Sequence, residues 1–400
     1  MITVVGLDGG PLADRARAAL ARADVVLGWS RHVELVAGSL PPAVRQVVVD
    51  RDLPATLTVL REAQGRRVVL ASGDPGFFGI VRAVAAEHTD VTVIPAVSSV
   101  AAAFAAAATS WDDAQVVSTH GRSPDRALAV CRRLPKVAVL TGPALGPAEL
   151  GAALAGLAKR LVVAERLGHP DERVTTVTPH EAAARSDWRD PNVVVVLDDP
   201  LPASQKGWAA PPRGTAQRWA LPESAFTHRD SMITKAEVRA VALGWLGPGL
   251  GDLVWDVGAG SGAVATECAR LGAAVIAVDS DPEQCDRARA NAAGHDVPVE
   301  VVCAKAPEAL AALPDPDAVF VGGGGTALTD IVEQAAARAR RSVVVALATV
   351  ERIAGVTGAL ERHGLQVEAT QIHAARLAPL AGGHRLATTN PVFLIRGGRP

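Results

Sequence analysis

The sequence predicts an α/β protein built from two successive domains, and three observations predict it. First, short β-branched runs alternate with Ala/Arg-rich helical patterns through both halves, as expected of mostly parallel sheets with helical crossovers. Second, two glycine-rich loops of different grammar each close a strand: Gly73-Asp74-Pro75-Gly76-Phe77-Phe78 early in the chain, and Asp256-Val257-Gly258-Ala259-Gly260-Ser261-Gly262 far downstream. They are two separate binding devices, not one repeat. Third, periodicity collapses between them, in Asp198-Asp199-Pro200-Leu201-Pro202 and Ala210-Pro211-Pro212-Arg213-Gly214. The expected organisation is a first domain over residues 1–200, a Pro-rich linker over 201–222 and a second domain over 223–400.

In the first half the strand-like runs fall at 68–70, 91–94, 116–118, 137–140 and 193–197. A break at Trp111-Asp112-Asp113, after the helix-like stretch 100–108, is expected to divide this half into two lobes with a cleft between them. Ligands of open α/β sheets sit at the carboxyl ends of strands, where such a cleft would lie. The second half restarts at Thr234-Lys235-Ala236-Glu237, a capping-box pattern in which Thr234 accepts the Glu237 amide proton while Glu237 reaches back. A helix to about Leu246 follows, then strands at 253–257, 274–279, 299–302, 318–321 and 343–347 separated by helices. Two last segments, 366–372 and 392–396, leave no room for a crossover helix and are expected to close the sheet as an antiparallel pair.

A chain of 400 residues with 49% hydrophobic content can fill two substantial cores. Lys+Arg 40 against Asp+Glu 42, a net charge of -2, and no basic run argue against a nucleic-acid partner. The cysteines Cys131, Cys268, Cys285 and Cys303 show no C-x-x-C spacing and fall in segments that read as buried helix or strand, which fits a reducing cytoplasm. The start, Met1-Ile2-Thr3-Val4-Val5-Gly6, enters a strand without a basic leader, and no charge-free apolar run reaches about 18 residues. Neither export nor membrane insertion is expected.

In the downstream loop, Gly258, Gly260 and Gly262 let the backbone turn tightly from strand to helix and approach a ligand closely. Gly258, Gly260 and Ala263 also satisfy a dinucleotide fingerprint, with Asp279 where an acidic ribose ligand belongs. An NAD-dependent two-domain oxidoreductase is thus an alternative on this motif alone. Asp256 favours an adenosyl ligand, since a carboxylate there can receive the α-ammonium of a methionine moiety but would repel a pyrophosphate. In the upstream half, Gly73-Asp74-Pro75 and Pro95-Ala96-Val97-Ser98-Ser99 each place a turn at a strand's carboxyl end. His120, in Ser118-Thr119-His120-Gly121-Arg122, reads more readily as structural than catalytic, whereas Arg122 can meet a substrate carboxylate bidentately. The other histidines lack metal-ligand spacing, and no metal site is expected.

The upstream half further carries Val4-Val5-Gly6-Leu7-Asp8-Gly9, Trp111-Asp112-Asp113 and Leu140-Thr141-Gly142-Pro143; the downstream half carries Met232-Ile233-Thr234, Ala306-Pro307-Glu308-Ala309-Leu310, Val321-Gly322-Gly323-Gly324-Gly325 and Asn390-Pro391-Val392. In this order the motifs resemble the fused precorrin-6Y C(5,15)-methyltransferases (decarboxylating) of cobalamin biosynthesis, over nearly the whole chain outside the linker. The resemblance implies a two-lobed tetrapyrrole methylase fold (class III methyltransferase), followed by a Rossmann-like class I methyltransferase with a seven-stranded sheet. It implies two sites for S-adenosyl-L-methionine and one polycarboxylate substrate, a reduced tetrapyrrole methylated at meso carbons 5 and 15 with loss of the ring C acetate as carbon dioxide. By matching position, Thr234, Gly258, Ala259, Gly260, Ser261, Gly262, Asp279 and Ala306 would line the second cofactor site, and Gly73, Asp74, Pro75, Ser98, Ser99, Gly142 and Pro143 the first. Arg122, Arg376, Arg385 and also Arg239 are candidates to hold substrate carboxylates. Two departures stand out: Ala96 replaces a glycine common before the serine pair, and Ala304-Lys305 replaces a glycine-led step ahead of Ala306. No catalytic side chain is singled out, because transfer from a sulfonium depends chiefly on positioning. The cobalt-precorrin version of the same reactions is the nearest alternative, and Ala-rich faces are compatible with a homo-oligomer.

Overall fold

A computed structural model describes residues 1–49, 53–121, 123–201, 219–229 and 233–400. It divides into two compact units, Met1–Pro124 with Pro135–Ala209, and Asp125–Leu134 with Ala210–Pro400. Of the expected linker, residues 202–218 lie outside the described residues. Its described ends belong to folded structure: Leu201 packs on the apolar cluster around Phe104, and Leu221 is buried with Phe226, Ile233 and Ala263.

The first unit opens with strands β1 (Ile2–Leu7), β2 (Val25–Gly28), β3 (Arg45–Val48), β4 (Arg67–Ser72) and β5 (Val91–Ile94). They form one parallel sheet in the order β3-β2-β4-β1-β5. The middle strands β1 and β2 are buried on both faces, which is why they read as continuous apolar runs. Strands β6 (Gln115–Ser118), β7 (Lys136–Leu140), β8 (Lys159–Glu165), β9 (Arg173–Val177) and β10 (Asn192–Asp198) make a second sheet, ordered β6-β7-β10-β8-β9. Only β6 and β7 are parallel there; β10 runs antiparallel to both β7 and β8, and β8 to β9. The expectation of mostly parallel layers therefore fails for this lobe: β9 turns back on β8 through the short segment 166–172, and β10 returns after helix Pro179–Ala184 to pair antiparallel with β8. The division between lobes also falls earlier than Trp111: helix Ser99–Ala106 already packs Val100, Ala103 and Phe104 against Ala138, Val162 and Val195 of the second sheet.

The second unit contains β11 (Leu253–Val257), β12 (Ala274–Asp279), β13 (Glu300–Cys303), β14 (Ala318–Val321), β15 (Ser342–Leu347), β16 (Gln366–Ile372), β17 (Ala375–Leu380), β18 (Gly383–Thr388) and β19 (Val392–Gly398). Seven of them form one sheet, β13-β12-β11-β14-β15-β19-β16. The first five are parallel, and β19 inserts antiparallel between β15 and β16. Between β16 and β19 the chain forms a separate hairpin, β17 with β18, that the sequence pattern did not disclose. Two apolar clusters cover the sheet, one around Trp255, Val319 and Val343, the other around Val254, Phe320 and Val344, as alternation along each strand requires.

The capping box at Thr234 does not form. Helix Ala236–Leu246 starts after Lys235 and has no side-chain cap; the Glu237 carboxylate instead receives the Arg376 guanidinium. What fixes this region is a fully buried ion pair. Glu267 accepts Arg239 Nε at 3.0 Å and the amides of Ala220 and Leu221 at 2.5 and 3.0 Å. Arg239 also donates to the carbonyls of Leu221 and Thr234 and lies over the Phe226 ring. Its expected place near a substrate mouth is corrected: the side chain has no exposure at all. Removing one partner of such a pair costs roughly 3–5 kcal/mol. Glu267→Ala is expected to destabilise the second unit by about that much in equilibrium denaturation, and Glu267→Gln by clearly less, since the amide oxygen still accepts two of the three bonds.

Candidate cofactor sites

In the second unit the glycine loop leaves β11 and enters helix Ala263–Arg270. Gly258 has φ +70°, and a β-carbon on it would lie 2.9 Å from the Gly323 nitrogen. The same addition at Gly262, also at φ +70°, would lie 2.7 Å from the Ala288 β-carbon. At Gly260, φ +55°, it would meet nothing within 4 Å, so this residue faces open space. The loop is tied to the end of β12: Gly258 donates to the Val278 carbonyl at 2.9 Å, and Gly260 to Asp279 Oδ2 at 2.8 Å. Asp279 Oδ1 accepts the Asp281 amide at 2.9 Å, so each oxygen holds one amide and keeps a lone pair. The half-buried Asp279 is thus oriented by backbone donors before any ligand arrives. Ser261 is buried, and its carbonyl accepts from Asn291 Nδ2 at 2.8 Å.

The other expected residues of this site lie around that loop. Ala304 donates its amide to the Asp279 carbonyl at 2.9 Å, which sets the 304–306 turn, and with it Ala306, beside β12. Thr234 follows Ile233, which packs on Ala263 at the start of the loop helix. The loop after β14 also belongs here: Gly322 donates to the Val257 carbonyl at 2.9 Å, and Gly323 backs against Gly258. That contact could be read in the sequence only as a second glycine run. Asp256 does not reach the surface. It is 1% exposed, Oδ2 accepts the Ala265 amide at 2.9 Å, and Oδ1 is buried without a partner among the described residues.

In the first unit, three loops meet at the carboxyl ends of β1, β4 and β5. Gly6 backs directly on the Gly73 carbonyl and the Ala96 nitrogen, where no β-carbon fits. Gly73 donates to the Leu7 carbonyl at 2.7 Å and adjoins Ser98 and Ser99. Asp74 Oδ1 accepts the Gly76 amide, which closes the turn at the buried Pro75. Ser98 caps helix Ser99–Ala106, its Oγ accepting the Ala101 amide at 3.1 Å. Asp8 joins the β1 and β5 loops by accepting the amides of Gly10 and Val97, a role the pattern did not single out. Gly142 and the exposed Pro143 sit after β7, beside Thr119.

Arg122 lies outside the described residues, and His120 is exposed. Arg376 is occupied by carboxylates of the protein, bonding Glu223 at 2.9 and 3.0 Å and Glu237 at 2.5 and 2.8 Å. Arg385 is exposed on β18 and makes no ion pair among the described residues. No group of three or more metal-ligating side chains occurs among the described residues, and no helix among them is long and apolar enough to cross a membrane.

Residues 1–183 match the model of the tetrapyrrole (corrin/porphyrin) methylases, and residues 224–396 that of a precorrin methyltransferase domain. A Sinorhizobium protein named precorrin-6Y C(5,15)-methyltransferase [decarboxylating] is 35% identical over 95% of this chain and 92% of its own length. The chain belongs to the precorrin-6Y C(5,15)-methyltransferase (decarboxylating) family. A Mycobacterium tuberculosis protein of the same name is 33% identical over 82% of this chain and 81% of its own. A Pyrobaculum calidifontis protein, named a probable cobalt-precorrin-6B C(15)-methyltransferase (decarboxylating), is 39% identical over 44% of this chain and 93% of its own. The chain is accordingly a methyltransferase, and the oxidoreductase reading is set aside.

Two outcomes follow from the loop geometry. Gly258→Ala and Gly262→Ala each add a clash to left-handed strain, whereas Gly260→Ala adds only the strain of about 1–2 kcal/mol. Thermal unfolding should therefore rank Gly260→Ala as the mildest of the three. Burial lifts the Asp256 carboxyl to about 7, the Ala265 amide opposing the rise and the charge of Asp279 adding to it. Its unfolded value is near 4, so the folded state holds the extra proton between these values and stability falls as pH rises through that window. Asp256→Asn is expected to gain on the wild type in denaturation midpoint between about pH 4 and pH 7; parallel pH profiles would contradict this.

Proposed function

We propose that each domain holds one S-adenosyl-L-methionine, and that the second domain carries out methylation at carbon 15 together with the decarboxylation, leaving carbon 5 to the first. The overall reaction is that of the family: methylation of a reduced tetrapyrrole at carbons 5 and 15 with loss of carbon dioxide from the ring C acetate. The observation that carries the assignment is the turn from Gly258 to Gly262 hydrogen-bonded to Asp279. Five parallel strands followed by an antiparallel pair, in the order β13-β12-β11-β14-β15-β19-β16, support reading this domain as a Rossmann-like class I methyltransferase. A Pyrobaculum relative of single-domain size is named for both the C(15) methylation and the decarboxylation, which supports placing the two together.

Bound S-adenosyl-L-methionine supplies an electrophilic methyl group. The chain's part is to hold and exclude. Asp279, with both oxygens already aimed by backbone amides, has lone pairs for two ribose hydroxyls. The open face at Gly260 admits the adenosyl group close to the backbone. Transfer to a nucleophilic carbon needs a near-linear approach and little acid–base help, so positioning and removal of water supply most of the rate. In the decarboxylation the electron pair left by carbon dioxide can pass into the conjugated macrocycle, so no side chain has to act as electron sink. In the first domain the same role falls to the turn of Gly73, Asp74 and Pro75 with Ser98 and Ser99, and to Gly142 and Pro143.

Calorimetric titration of S-adenosyl-L-methionine is expected to give two sites in the wild type and one in Asp279→Ala. Incubation with a metal-free reduced tetrapyrrole substrate should add two methyl groups and remove one carbon dioxide. Asp279→Ala should stop at one methyl group with the acetate intact, and a doubly methylated product from that variant would overturn the division of labour.

A further inference from the structure

A pair of thiols flanks the carboxylate on which the second-domain site depends. Cys303 ends β13 and stands opposite Asp279 in the parallel register of β12 and β13. Cys285 lies in the first turn of helix Pro282–Gly294, and its Sγ–H donates to the Asp279 carbonyl at 3.4 Å. The register sets Cys303 beside Asp279 on the edge strand, and the Cys285 sulfur lies against the carbonyl of the same residue, so both thiols border Asp279. Cys285 is buried and Cys303 exposed, and both are free. Sequence spacing concealed this arrangement, because the cysteines meet only when the helix folds back over the edge of the sheet.

We propose that Cys285 and Cys303 form a redox-sensitive pair: a peroxide closes them into a disulfide, and the disulfide weakens S-adenosyl-L-methionine binding at the second-domain site. This rests on the placement of that site around Asp279. The exposed Cys303 meets the oxidant first. Its thiolate attacks one peroxide oxygen, the O–O bond breaks, and Cys303 becomes a sulfenic acid while the other oxygen leaves as hydroxide and takes up the proton that the Cys303 thiol gave up, as water. The Cys285 sulfur then attacks the Cys303 sulfur; the S–S bond forms, the S–O bond breaks, and hydroxide departs with the Cys285 proton as a second water. Two thiols lose two electrons and two protons, and one peroxide becomes two waters. Burial, reinforced by the neighbouring Cys303, pushes the Cys285 thiol up to about 12. Cys285 is therefore the slower of the two to meet an oxidant, and its place beside the exposed Cys303 makes it the resolving partner, its proton leaving as its sulfur attacks.

Closure reaches the site through three bonds. The Sγ–H donor to the Asp279 carbonyl is lost. The helix turn that carries Cys285 begins at Asp281, whose amide holds Asp279 Oδ1. Ala304, next to Cys303, donates to the Asp279 carbonyl. Drawing the sulfurs to about 2.05 Å pulls both of these segments toward each other, and the carboxylate that holds Gly260 lies between them.

The test uses the full chain, reduced or treated with hydrogen peroxide and then alkylated, with peptide mapping by mass spectrometry and calorimetric titration on the same samples. A Cys285–Cys303 linked peptide is expected, together with second-domain affinity weakened about tenfold or more, corresponding to at least 1.4 kcal/mol, and restored by dithiothreitol. Cys303→Ser should bind as the reduced wild type does and keep that affinity after peroxide. Recovery of Cys303 only as sulfinic or sulfonic acid overturns the proposal, as does a mapped disulfide that leaves the titration unchanged. The mapping decides the thiol chemistry by itself. Reduced protein with no second-domain binding would therefore count against the site around Asp279 and not against the disulfide.

Discussion

Backbone crowding at the carboxyl ends of neighbouring parallel strands is the constraint on which both candidate sites depend. A parallel sheet delivers all its loops to one edge, and the loops from adjacent strands must pass each other there. In the second domain β11 and β14 are neighbours, and the Val257 carbonyl accepts the Gly322 amide just beyond their paired residues. Gly258 and Gly323 then lie back to back with no room for a side chain. In the first domain the same crowding occurs where Gly6 meets Gly73 and Ala96. A ligand at either edge meets main-chain atoms more than side chains, which suits a reaction governed by positioning.

The second determinant is the spending of arginine on the protein's own carboxylates. Glu267 gathers Arg239 and two amides from the segment before the helix, so the approach to Thr234 is held by one buried charge pair. Arg376 carries out a comparable task at the surface, joining β17 to Glu223 and Glu237. It holds Glu223 well below the usual carboxylate range, at about 2, mainly through the side-chain bonds. A guanidinium held by two carboxylates is a poor receiver for a substrate's acetate or propionate arms, since the new carboxylate would have to displace the old ones. Of the arginines with candidate substrate roles, the exposed Arg385 best keeps that capacity in the described structure.

Much of this fold was legible because strands buried on both faces must be written as near-continuous apolar runs, as in 193–197, 253–257 and 343–347. Three features were not legible, each for a definite reason. The partner of a polar side chain is a tertiary fact: Glu237 fits a capping box by spacing, yet Arg376, far away in sequence, competes for it and wins. Strand direction is not encoded in a strand's own residues, so the run 193–197 that became β10 looked like more parallel sheet, and β8 and β9 were not among the strand-like runs. Depth is also hidden, since Asp256 precedes the loop by two residues in either reading and only the packing of helix Ala263–Arg270 shows it to be enclosed. The glycine loop and Asp279 escaped these difficulties because their geometry is local to one strand–turn–helix unit and the strand beside it.

The two aspartates that border this loop divide its electrostatic work. Both could be charged only at a cost, because Asp256 has no water to solvate it and feels the charge of Asp279. The buried group is the one that yields, taking a proton and keeping a single bond to the Ala265 amide. The half-buried Asp279 is held differently, one carboxylate oxygen by the Gly260 amide and the other by the Asp281 amide. A charged Asp256 would keep one oxygen on the Ala265 amide and leave the other buried without a partner among the described residues. The burial of one carboxylate thus helps to define where the other can act, and it does so without any further side chain in the site.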